Sequence, residues 1–123
     1  MIVGKDFGSV MNVVKAAEML DFVDTPRRNV IFTVIGKTFL KADVNQRKII
    51  FKEQILKLRI FQLITDMLKR GEKEGLDEDI VLETFAMLLP NEDTEKQFDT
   101  LVDWGRYGEL IGHNAEEKKI YLE

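Results

Sequence analysis

The sequence predicts a mostly α-helical protein with small β wings, built as tandem winged-helix-like modules of which the first is incomplete. Three observations lead there. Apolar residues recur at i, i+3, i+4 and i+7 through residues 7–20, 44–58, 59–70, 77–89 and 94–107, the spacing of one buried helical face. Two stretches, 21–33 and 109–122, instead hold short β-rich runs around turn-forming residues. The order of helix followed by hairpin occurs twice. The expected division is a partial module at 1–43, a connecting helix at 44–58 and a complete module at 59–123.

In the first helix Val10, Val14, Ala17 and Leu20 form the stripe, and Asp6 stands where an N-cap would. Phe22-Val23 and Val30–Thr33 are the arms of the first hairpin, with turn chemistry at Asp24, Pro26 and Asn29 and two arginines, Arg27 and Arg28, at its tip. A short helix then carries Phe39 and Leu40 inward. Val44, Phe51, Ile55 and Leu58 make the stripe of the connecting helix, and a bend is expected near 58–60 before the next helix turns Ile60, Phe61, Ile64, Met67 and Leu68 inward. Asp77 is read as the cap of a helix that Pro90 ends. Residues 91–94 open the helix to Tyr107, and a turn at 114–117 joins the last two strands.

The composition excludes several classes. At 123 residues, 45% hydrophobic and 33% charged, the chain has the balance of a soluble globular protein. Its apolar runs are short, so no membrane insertion is expected. There is no cysteine, hence no disulfide and no thiolate site, and the expected location is the cytoplasm. Ser9 is the only serine and His113 the only histidine, at opposite ends of the chain, too thin an inventory for a hydroxyl nucleophile or for zinc. No catalytic, cofactor-binding or metal-binding residue is assigned, and no cofactor is expected.

Gly36-Lys37-Thr38 has the ending of a phosphate-binding loop. That loop needs a glycine five residues earlier, and Ile31 stands there, followed by Phe32, Thr33, Val34 and Ile35. A β-branched run cannot take the positive φ angles of a phosphate cradle. The triplet is read as a strand-to-helix corner with Lys37 in solvent.

Charge is unevenly spread. Residues 1–57 carry ten Lys/Arg against six Asp/Glu, a net of +4, while 58–123 carry eight against sixteen, a net of −8. A nucleic-acid reader needs a basic face. Helix 94–107 carries Glu95, Asp99 and Asp103 against Lys96 and Arg106 and does not supply one. The first module comes nearer, through Lys15, Arg27 and Arg28, partly offset by Glu18 and Asp21.

Two blocks carry a resemblance. Thr33, Gly36, Phe39, Ala42, Asp43, Arg47, Lys48 and Phe51 form the first. The second is the DTLVDWGRYGEL stretch, from Asp99 to Leu110. Together they resemble the AAA-associated C-terminal domain that follows the ATP-binding cassette in nitrate-, sulfonate- and taurine-type ABC transporter ATPases. Val34 stands where that pattern usually has proline, and the family's opening helical segment has no counterpart. The expectation is a chain trimmed at its start or a half-module that completes itself against a neighbour. The ATPase domain itself is absent, so ATPase activity does not carry over. The resemblance implies a prokaryotic accessory domain with no transferable catalytic residues and a protein partner, the ATPase or permease component of such a transporter.

Trp104, Arg106 and Tyr107 are the partner-binding candidates, because Trp, Tyr and Arg dominate interface energetics. The alternative is a core aromatic pair locking helix to wing. The cluster Lys37, Lys41, Arg47, Lys48 and Lys52 is read as a solvated face or as a site for an acidic partner or nucleic acid. The expected function is a non-catalytic interaction or regulatory domain, with a winged-helix transcriptional regulator as the alternative. A homodimer burying residues 7–20 and part of 44–58 is expected from the apolar face of the first helix.

Overall fold

The computed structural model describes residues 7–71 and 75–123, and side chains from residue 13 onward. Among these residues the protein is mostly helical, with one two-stranded and one three-stranded antiparallel sheet. It divides into two compact units, Met1–Ile50 and Phe51–Glu123.

The first unit opens with α1 (Phe7–Met19). The expected cap at Asp6 lies outside the described residues. Past α1 the chain reverses at Asp21, whose φ is +63°. Strands β1 (Val23–Asp24) and β2 (Ile31–Phe32) pair antiparallel, Val23 opposite Phe32. Their Pro26–Arg28 turn is closed by Asn29 N–H donating to the Pro26 carbonyl. The Thr25 hydroxyl donates to the Glu18 carboxylate, tying the hairpin back to α1. Helix α2 (Val34–Lys41) follows, and α3 (Val44–Ile55) runs past the end of the unit.

The corner into α2 explains the glycine of the GKT triplet. Thr33 caps the helix, its hydroxyl oxygen accepting from Gly36 N–H at 3.0 Å and its O–H donating to the Asp21 carbonyl at 2.5 Å. Gly36 lies against the backbone of Phe22. A Cβ there would sit 1.9 Å from the Phe22 carbonyl oxygen, closer than any real contact. Phe39, half-buried on the next turn, packs on Phe22 with ring centroids 4.5 Å apart. Leu40, expected inward, is instead exposed, as is Val44 at 69%. Phe39 takes the contact with Phe22, so the neighbouring Leu40 falls on the outer side of α2.

The second unit holds the larger core. After α3 the chain turns at residues 56–58 and α4 (Arg59–Gly71) begins, as the expected bend requires. Ile55, Phe61, Ile64, Val81, Phe85, Leu101, Ile111 and Ile120 are almost wholly buried. Gln54 is buried beside them, a polar residue inside the apolar stripe, and its Oε1 accepts from Lys57 Nζ at 3.0 Å. A short strand that periodicity does not signal, β3 (Leu76–Asp77), precedes α5 (Glu78–Leu88). Gly75 enters it at φ +101°, a conformation that costs little only for glycine. Asp77 stands at the cap position of α5 but its side chain makes no capping bond; its backbone pairs with Lys119 instead. Helix α6 (Thr94–Tyr107) is capped by Asp93, which accepts from Glu95 N–H and Lys96 N–H. Strands β4 (Ile111–Asn114) and β5 (Lys119–Leu122) close the chain around a turn in which Asn114 Oδ1 accepts from the N–H groups of Glu116 and Glu117. The sheet order is β3-β5-β4, so the last strand lies between the other two.

Candidate functional site

The first block of motif residues is architectural. Asp43 Oδ1 accepts from Gln46 N–H at 2.8 Å and so caps α3. One turn on, the Arg47 guanidinium reaches back to the end of α2, donating from Nε to the Phe39 carbonyl (3.1 Å) and from Nη2 to the Leu40 carbonyl (2.8 Å). It also lies 5.8 Å from the Phe39 ring centroid. A helix end leaves carbonyls unpaired and carries partial negative charge, so a cation there stabilises it. Thr33, Gly36, Phe39, Asp43 and Arg47 are thus the parts of one corner. Arg47 leaves the basic cluster as a helix clasp. Lys37 and Lys41 stay exposed along one side of α2. Between α2 and α3 lies an open, mainly apolar groove of about 430 Å³ bordered by Lys41, Ala42, Gln46 and Ile49.

The second block divides in two. Trp104 and Tyr107 converge on Phe51, with centroids 6.1 and 4.8 Å away and rings nearly perpendicular, the edge-to-face arrangement aromatic quadrupoles favour. Trp104 is half-buried and Tyr107 is 40% exposed. The pair therefore locks α6 to α3 and leaves one edge of Tyr107 in solvent. Asp99, Asp103 and Arg106 point outward on α6. With Glu95 the two aspartates form a row at i, i+4 and i+8, which sequence reading took only as net charge.

The nucleic-acid candidates Lys15, Arg27 and Arg28 are all exposed. Arg27 (φ +50°) and Arg28 (φ +68°) occupy the left-handed region in succession. Strain of this kind in non-glycine residues concentrates where the side chains are used. His113 is half-buried, edge-on to Phe98 with centroids 5.8 Å apart. Its Nε2 lies 3.7 Å from Glu78 Oε1 and makes no hydrogen bond. Ser9's side chain lies outside the described residues. Among those described, no three His, Asp or Glu side chains gather as metal ligands would, and no helix is long and apolar enough to cross a membrane.

On the face expected to form a homodimer, Val10 lies outside the described side chains. Val14 and Ala17 are half-buried and Leu20 is buried, while Val13 and Met19 are exposed.

The described residues thus form two helical units, each with a small antiparallel sheet, whose motif residues build corners and outward-facing rows. The chain belongs to the C-terminal AAA-associated domain family, which it matches over residues 2–114. No curated protein and no solved structure matches it.

Proposed function

We propose that this chain is a non-catalytic accessory domain that acts by docking on a protein, the ATPase or permease component of an ABC-type importer for nitrate, sulfonate or taurine-like anions. The observation that carries the reading is the split of the DWGRY block. Trp104 and Gly105 face inward, Gly105 against Ile111, while Asp103 and Arg106 face solvent and Tyr107 keeps one edge there. Exposed motif residues on a packed helix fit binding better than folding. Residues 59–122 form a winged helix in this reading, supported by the order α4, β3, α5, α6, β4, β5 and by the central place of the last strand. The test is site-specific photocrosslinking in the native cell from position 106, with position 116 in the hairpin turn as control. Capture of a transporter ATPase or permease from 106 alone is expected; capture from both positions or neither refutes the reading.

A DNA-binding regulator is the second reading, favoured by the exposed arginine pair at the hairpin tip. Its signature is sub-micromolar, sequence-selective binding at physiological salt, lost in Arg27→Glu/Arg28→Glu. The expectation here is weak, non-specific retention at low salt only, because the carboxylates on α6 repel phosphate.

A further inference from the structure

The first unit exposes an apolar strip among mainly cationic neighbours, with the exposed Asp24 opposite Ile31. Val30, Ile31 and Phe32 are each about half exposed, and Val34 is 84% exposed. Residues 25–42 contain Arg27, Arg28, Lys37 and Lys41 and no carboxylate. Val34, Lys37, Thr38 and Lys41 fall at i, i+3, i+4 and i+7 on the exposed side of α2, so Val34 shares one face with two of the cations.

The second unit carries a surface of the opposite kind. Residues 77–109 hold ten carboxylates and two cations, Lys96 and Arg106. Glu95, Asp99 and Asp103 form an exposed row along α6. Like charges at i, i+4 weaken a helix, so the row has no origin in helix stability. Just before it in the chain, Met87 (82% exposed) and Leu88 (48%) stand at the end of α5, an apolar tip beside the carboxylates.

We propose that two copies of this chain associate through these surfaces, the Val30–Val34 strip of each molecule lying on the acidic α6 row and Met87-Leu88 tip of the other. Nucleic acid would engage the arginines but leave the apolar strip in water. An anionic membrane would engage strip and cations but leave the acidic row unused. A second copy uses both. The face differs from that of 7–20 and 44–58, and the inference stands independently of the transporter partner.

The test is sedimentation of the full chain with paired charge reversals. The wild type should dimerise at tens of micromolar, with an affinity several-fold lower in about 0.5 M salt than in about 0.05 M, as rim charges are screened while the apolar contact persists. Arg27→Glu/Arg28→Glu/Lys37→Glu/Lys41→Glu makes both surfaces acidic, and Glu95→Lys/Asp99→Lys/Asp103→Lys turns the α6 row basic. Each variant should be monomeric alone, with an unchanged circular dichroism spectrum, and a one-to-one mixture should form a mixed dimer. Val34→Ser should weaken the wild-type dimer at either salt. A monomeric wild type, a variant that dimerises by itself, or a mixture that stays monomeric overturns the proposal. So does a wild type that binds phosphatidylglycerol vesicles without dimerising.

Discussion

Replacing Gly36 by alanine sets two opposing effects against each other. In an ordinary helix interior the change stabilises by about 1 kcal/mol, because alanine loses less backbone entropy. Here the new Cβ would meet the Phe22 carbonyl oxygen at 1.9 Å and its carbon at 2.8 Å. Both atoms are backbone and cannot rotate away. Relief requires α2 to move off β1 by roughly an ångström, an overpacking cost of about 1–3 kcal/mol. The same movement strains the bonds at the corner: Thr33 N–H to the Phe22 carbonyl at 3.0 Å, and Gly36 N–H to the Thr33 hydroxyl. Each contributes about 1 kcal/mol. The clash wins, and the expected net loss is about 2 kcal/mol. Urea denaturation followed by circular dichroism reads it. Gly71→Ala is the control, since among the described residues nothing lies within 4 Å of its added Cβ, and it should be neutral or stabilising by up to about 1 kcal/mol. If Gly36→Ala were as stable as the wild type or more so, the packing account of this glycine would be wrong.

Three further outcomes are expected. Phe51→Ala removes the ring between Trp104 and Tyr107 and should cost about 2–3 kcal/mol, with a red shift of Trp104 emission as water reaches the indole; unshifted emission would mean the cluster does not hold α6. Asp93→Ala unpairs two amide groups at the start of α6 and should cost about 1 kcal/mol in the same denaturation assay. Calorimetry with Mg-ATP should be silent, and micromolar binding abolished by Lys37→Ala would restore the phosphate-loop reading that the missing glycine argues against.

What the sequence determined by itself is local. Helix α6 was legible from the cap region at 91–94 and the spacing of Phe98, Leu101, Val102 and Gly105, these four being buried. The final hairpin was legible from its β-rich arms and Asn114, because a turn residue bonds its own neighbours. The family was legible from DWGRY, a run of adjacent residues. What the tertiary structure decided rests on groups distant in the chain. Strand β3 is two residues long and exists through pairing with Ile120 and Lys119, which periodicity within 76–77 cannot announce. Arg47 looked like one cation of a basic cluster until its carbonyl partners on α2 appeared. Leu40 looked like core until Phe39 was seen to take the contact with Phe22. The exposed strip and the acidic row are likewise matters of which side of a helix is left uncovered. Spacing along the chain sets which residues share a face, because it follows from the helical repeat. What that face meets is set by the packing of distant segments.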